Sequence, residues 1–285
     1  MDGMADARVL DPYATTIHPA AVIARGAEIG RGVRIGPFCT IGPDAVIEDG
    51  AELVSHVVVE GHTRIGPDVK LYPFCTIGLP PQDMKYRNEP TRCEIGPGTH
   101  VREHSSIHRG TPQGRGITTI GAHCMLMAVT HVAHDCTLGD GVVVANNVVM
   151  GGHVTIGDNA VIGGGAAIHQ HVTIGRGAMI GGMVGVPGDV VPFGMVSAQR
   201  AGWVAGLNVV GLRRRGYDRK QIQTLRSAFR MLFRREGALA DRIAQTRRAL
   251  GSDPLVSEVL AFIDSQGPRG LTPAHLMPDV TDAAA

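Results

Sequence analysis

An aliphatic residue returns at every sixth position over most of this chain. The series runs Ile17, Ile23, Ile29, Ile35, Ile41, Ile47, Leu53, Val59, Ile65, Leu71, Ile77, then lapses. It surfaces at Ile95, Val101 and Ile107, and resumes at Ile120, Leu126, Val132, Leu138, Val144, Met150, Ile156, Ile162, Ile168, Ile174, Ile180 and Val186. Glycine commonly follows the aliphatic residue, and a small residue sits four places after it. A period of six matches neither the helical period of about 3.6 nor a sustained two-residue alternation. It suits a solenoid of short parallel strands and tight turns, with the aliphatic side chain inward and glycine, Asn or Asp at the turn. The 39 glycines and the 4% aromatic share agree with repeated turns rather than large interlocking side chains.

Such repeats resemble those of the hexapeptide-repeat acyltransferases, whose fold is a left-handed parallel β-helix with three hexads to each triangular coil. The handedness follows from that resemblance, since crossovers between parallel strands are otherwise right-handed. The expected organisation is a lead-in over 1–16, an all-β left-handed parallel β-helix over 17–191 and a small α-helical C-terminal domain over 192–285. Two stretches break the repeat, LPPQDMKYRNEPTR (79–92) and RGTPQGRGITT (109–119). A solenoid admits insertions only as outward loops, and long loops on a rigid scaffold carry function more often than not.

Beyond VPGDVVPFG the patterning becomes helical. Asp218 is the expected N-cap of a helix with Ile222, Leu225, Phe229 and Leu232 on one face and Gly237 at its end. A second helix is expected over about 239–250, and a third beginning with Asp253 as cap and Pro254 in its first turn. A flexible tail is expected from about residue 267. From Pro192 onward there are 14 Arg/Lys against 8 Asp/Glu, so this basic end of a chain with net charge +1 could meet an acidic partner. Nothing points to nucleic acid.

The five cysteines form no CxxC, and four share one place in the repeat, which reads as small buried filler in a reducing compartment. There is no basic-then-apolar leader and no apolar run of the roughly 18 residues a membrane span needs, so a cytoplasmic protein is expected.

With three hexads per coil, residues 18 apart stack. Gly152 and Gln170 then share a column with His134, while His153 and His171 form the next column above Asp135. HVAHDC, GGHV and IHQHV therefore converge on adjacent coils, gathering His131, His134, His153, His169 and Gln170. Imidazole is the side chain whose ordinary pKa suits a general base near neutrality. Sequence adjacency alone leaves open whether Asp135 reaches the His134 ring. A glycine at 152 exposes a backbone N–H that could hold an oxyanion. Gly164 and Gly182 leave a column without side chains, as an extended alkyl chain requires. The competing reading is a zinc site using His131 and His134, as in γ-type carbonic anhydrases, which share this kind of repeat. His100, His104 and His108 would align only on a helix, which the hexad register excludes here.

SHVVVEGHTRIG, QDMKYRNEPT, IHRGT, HVAHDC, ANNVVMGGHV, AIHQ and GLRRRGY together resemble the UDP-N-acetylglucosamine 3-O-acyltransferases that begin lipid A synthesis. The resemblance spans about residues 17–235. It implies His134 as catalytic base, Asp135 as its partner and Gly152 as the oxyanion N–H. It implies substrate contacts at Asp83, Lys85, His131, His153, His169, Gln170, Asn208 and Arg214, and an acyl-length position at Gly182. It further implies a homotrimer with sites between subunits, a (3R)-3-hydroxyacyl-acyl carrier protein as donor, UDP-N-acetylglucosamine as acceptor, and no metal or other cofactor. The alternatives within the fold are a 3-amino sugar nucleotide as acceptor or an acyl-CoA donor. The chain departs from better known members at Val210, where they carry Glu, and in AQRAGWVAG, which replaces their GNHATPFG.

Overall fold

The computed structural model describes residues 14–197, 203–234 and 236–274. Most hexads contribute a two-residue strand ending in the aliphatic residue, such as Val143–Val144 or Val161–Ile162. Successive strands turn onto successive faces, giving three sheets of 11, 9 and 8 strands among the described residues. The result is a left-handed parallel β-helix of triangular section. Val143 pairs with Val161 and Val161 with Met179, an offset of 18 residues. The offset widens to 30 across the first insertion, where Lys70 pairs with His100, and to 25 across the second, where His100 pairs with Met125. Both insertions thus leave the ladder in place, the first lying between Leu79 and Arg92 and the second between His108 and Ile117.

One aliphatic per hexad and the small residue near it fill the interior as a continuous column, from Val33 to Val204. All five cysteines lie in this column, free and buried. Burial pushes the Cys75, Cys93 and Cys136 thiols up to about 12. The turns need a left-handed residue, and non-glycine side chains often accept it: Phe38, His56, Phe74 and His104 stand on one corner, Asp135, His153 and His171 on another. Asp tolerates this conformation through local hydrogen bonding; Phe and His hold it because stacked coils over-determine the turn.

The solenoid ends in an antiparallel pair, Gly194–Ser197 with Trp203–Leu207. Among the described residues four helices follow: α1 (Val209–Arg214), α2 (Arg219–Phe233), α3 (Leu239–Leu250) and α4 (Pro254–Asp264). Asp218 and Gln221 form a reciprocal capping box on α2, and Asp253 caps α4 with Pro254 at its start. The short α1 was not anticipated. Nor does α2 reach Gly237, because Arg234 is already extended. The apolar faces of α2 and α4 close a second core with Val191 and Phe193. Arg176 fastens this core to the solenoid, donating to Glu258 at 2.9 and 2.5 Å and to the Tyr217 hydroxyl at 2.9 Å.

The expectation of a flexible tail from about 267 needs correcting for its first residues. Residues 267–274 return to the solenoid, where Leu271 bridges to Asp189 and Ala274 to Val204. Among the described residues no helix is long and apolar enough to cross a membrane.

Candidate active site

The left-handed turn at Asp135 folds its carboxylate back onto the preceding ring, so His134 Nδ1 lies 2.9 Å from Asp135 Oδ2. This answers what sequence left open. Asp135 is buried and anchored by the second insertion. The Thr111 N–H donates to both carboxylate oxygens at 3.1 Å, and the Thr111 hydroxyl donates to Oδ2 at 2.6 Å. Asp135's own N–H donates to the Thr118 hydroxyl at 2.8 Å. Gly114 of the same loop must be glycine, since a Cβ there would lie 2.4 Å from the carboxylate carbon. Thr111, Gly114 and Thr118 were missed in the sequence, for the register alone does not say where an outward loop folds back.

Burial raises the Asp135 pKa, but the bonds from His134 and Thr111 outweigh it and hold the group below the usual carboxylate range. An ionised carboxylate only accepts, so in the neutral ring the hydrogen sits on Nδ1 and the lone pair on Nε2. The pair can therefore take a proton at Nε2 while the carboxylate fixes the tautomer and steadies the resulting imidazolium.

Gly152 stands one coil above His134, as expected. A Cβ at Gly152 would come 2.5 Å from His134 Cε1 and 2.7 Å from Nε2, so only glycine leaves the ring where it is. At the equivalent turns, the N–H groups of Ala122 and Asp140 donate to the aspartate one coil up, at 2.7 and 2.9 Å. One coil up from Gly152 is Gln170, and the Gly152 N–H makes no hydrogen bond among the described residues.

His153 lies beside this centre, its Nε2 3.9 Å from Asp135 Oδ2 and its ring edge-on to His134 at 5.1 Å. Its other face stacks on His171 at 4.4 Å. His131 bonds through Nδ1 to the Ser106 hydroxyl at 2.7 Å and meets the ring of His108 edge-on at 4.8 Å. His108 was set aside in the sequence, yet it is only 6% exposed and its Nδ1 has no hydrogen-bond partner among the described residues. Burial depresses all three imidazoles, His108 to about 4. They are neutral near pH 7, so the cluster around His134 adds little positive charge.

The remaining candidates are more dispersed. Asp83 accepts from the Lys85 N–H at 2.9 Å in the first insertion and is near enough to bias His153 electrostatically. His169 Nδ1 faces the Gln170 carbonyl at 3.3 Å. Gly182 sits over Gly164, where a Cβ would lie 3.1 Å from the Gly164 carbonyl oxygen. Asn208 is buried as the N-cap of α1, accepting from the Gly211 N–H at 2.9 Å and donating to the Gly177 carbonyl at 3.0 Å. Arg214 ends α1, and no described contact joins it to the His134 cluster. Val210 is exposed, and the AQRAGWVAG run lies partly outside the described residues.

Ligating atoms of His134, Asp135 and His153 fall within 4.8 Å of one another, which keeps the zinc alternative in play on geometry. The donor chemistry speaks for an acid–base pair instead. Asp135 Oδ2 already accepts from Thr111 and His134, so a metal ion at that oxygen would compete with both bonds. His131, the ligand first considered, is not in this group.

The comparisons with known proteins agree with the geometry. Residues 26–61 and 117–152 match the bacterial transferase hexapeptide model, and 189–272 match the second domain of the UDP-N-acetylglucosamine O-acyltransferases. An acyl-(acyl-carrier-protein)–UDP-N-acetylglucosamine O-acyltransferase of Azorhizobium caulinodans is 46% identical over 90% of this chain and 94% of its own. One from Caulobacter vibrioides is 48% identical over 90% and 97%. The chain belongs to this family. As a UDP-N-acetylglucosamine O-acyltransferase family member it is an enzyme, an acyltransferase of lipid A biosynthesis. Solved acyltransferases superpose closely. That of Campylobacter jejuni has a TM-score of 0.85 at 35% identity, covering 91% of this chain and 100% of its own. That of Moraxella catarrhalis has a TM-score of 0.86 at 38% identity, covering 90% and 99%.

Proposed function

We propose that this acyltransferase moves a (3R)-3-hydroxyacyl chain from acyl carrier protein to the 3-hydroxyl of UDP-N-acetylglucosamine, with His134 as general base. The observation that carries the reading is the His134 Nδ1–Asp135 Oδ2 bond of 2.9 Å beside a glycine whose N–H is uncommitted. His134 Nε2 takes the proton of the sugar hydroxyl as its oxygen attacks the thioester carbonyl. The Gly152 N–H stabilises the oxyanion of the tetrahedral intermediate. Collapse expels the carrier thiolate, which recovers the proton from Nε2, so ester and thiol form with no covalent enzyme intermediate and no cofactor.

His131, His153, His169 and Gln170 line the approach to the base, with Asp83 and Lys85 reaching in from the first insertion. Lys85 and Arg214 act as charge partners for phosphate or sugar oxygens. The column of Gly164 and Gly182 takes the acyl chain. The enzyme works in the cytoplasm as a homotrimer whose sites lie between subunits, which lets the dispersed residues Arg214 and Gly182 of one subunit meet the His134 cluster of another, while Asn208 holds α1 in place behind Arg214. Its basic helices receive the acidic carrier protein.

The test is acyl transfer from a panel of 3-hydroxyacyl-acyl carrier proteins to UDP-N-acetylglucosamine, read by product mass. Wild type yields a mono-acylated nucleotide sugar, and His134→Ala loses about 10² to 10⁴-fold in rate while keeping its oligomeric state. Failure with every donor, alongside turnover of the 3-amino sugar nucleotide, would move the acceptor assignment.

A further inference from the structure

We propose that Arg269, in the segment after α4, is a positioning residue for the substrate-facing turn His169–Gln170–His171. The inference rests on the functional reading above, because it takes that turn to face the substrate. Its structural basis is a rung missing from the ladder at the active-site corner. The His153 N–H donates to the His134 carbonyl at 3.0 Å, and the His171 N–H donates to the Gly152 carbonyl at 3.0 Å. By the same register the next rung would run from the Asp189 N–H to the Gln170 carbonyl. It does not form. The Asp189 N–H donates to the Gly270 carbonyl at 2.7 Å, and Arg269 Nε donates to Gln170 at 2.9 Å in its place.

The returning segment is firmly seated. The buried Asp189 carboxylate accepts from the Thr173 N–H at 2.7 Å and from the Gly267 N–H at 2.8 Å. Thr272 donates its N–H to the Asp189 carbonyl at 2.8 Å and its hydroxyl to the Gly188 carbonyl at 2.6 Å. A Cβ on Gly188 would lie 2.9 Å from the Gly270 carbonyl oxygen, so the close approach depends on that glycine. Arg269 stands between these anchors, which removes much of the entropy cost that makes a lone surface arginine a weak clamp. What it holds matters for the site. The peptide whose carbonyl it grips carries the His171 N–H bonded to Gly152, and His171 stacks on His153. The C-terminal segment thereby completes the wall above the catalytic pair with a side chain the repeat cannot supply.

The experiment uses the full chain as wild type, Arg269→Ala and Arg269→Lys, read by hydrogen–deuterium exchange and by steady-state kinetics. In Arg269→Ala the peptide covering 167–173 exchanges faster, while that covering 117–126 is unchanged. KM for UDP-N-acetylglucosamine rises about threefold to tenfold with kcat within about twofold, the range of one ordinary hydrogen bond, since solvent screens the Arg269 charge. Arg269→Lys, which keeps a cationic donor, recovers part of both. Unchanged exchange at 167–173 overturns the clamp. Faster exchange with an unmoved KM overturns its link to substrate. Should wild type fail to acylate this sugar nucleotide, the functional reading falls, and the exchange result still decides the clamp.

Discussion

Two corners of this solenoid share one backbone turn and differ in almost everything else. On the first, Phe38, His56, Phe74 and His104 form a ladder of rings 4.8 to 4.9 Å apart, open to solvent. On the second, Asp135, His153 and His171 occupy equivalent left-handed positions, but a carboxylate replaces the ring at the foot and the 109–116 insertion seals it. The turn supplies positions at a fixed spacing in both cases. Chemistry arises only where a charged group enters the column and a loop withdraws it from water. Burial then gives the Asp135–His134 bond its strength, since an ion–dipole contact is worth far more away from solvent.

The sharpest way to break the contrast is Gly152→Ala. The new Cβ, 2.5 Å from the His134 ring, forces the base aside, and a loss of at least about a hundredfold in kcat/KM is expected, as misplacement by an ångström costs that much. A fold left intact by circular dichroism with activity unchanged would show that the base tolerates displacement.

Next in size is an acid effect of the histidines on the catalytic side. Burial depresses His108, His131 and His153, so the folded state binds fewer protons than the unfolded chain as the medium acidifies. Stability is therefore complete above about pH 6.5, the ordinary histidine value, and drains away toward about pH 4, where His108 finally protonates in place. His108 alone accounts for about 2–4 kcal/mol over that window. Denaturant melts of wild type and His108→Gln between those limits measure it; the variant's slope against pH should be visibly flatter.

The smallest effect belongs to the other corner. His56→Ala removes one ring from an exposed stack, costing about 0.5–1.5 kcal/mol by thermal melting and leaving acyl transfer as in wild type. A large activity loss there would erase the distinction between the two corners.

Much of this was legible in the residues. The six-residue period places the strands almost to the residue, because each inward aliphatic marks a strand's end. Stacking at 18 also brings Gly152 and His153 to His134 without any knowledge of side-chain contacts. Capping residues Asp218 and Asp253 mark two helix starts for local reasons. What escaped depends on contacts distant in sequence. Thr111 and Gly114 reach Asp135 only because an insertion curls inward, and an insertion has no register. The returning segment at 267–274 is invisible until Asp189 is known to lack its rung partner. His108 looked like one of three spaced histidines, and only its burial against His131 separates it from His100 and His104. Asn208, chosen as a substrate contact, spends its amide on the cap of α1, a use that a six-residue helix hardly advertises.

The column of thiols carries a practical consequence. Each sulfur is sealed between coils, and three of them ionise only near pH 12, so alkylating dyes and mild oxidants have no nucleophile to meet in the native protein. A cysteine placed at Met84, the most exposed apolar position of the first insertion, would then be the one reactive handle on each chain. A fluorophore attached there could report, molecule by molecule, when the insertion meets a ligand, without first stripping the protein of its own five cysteines.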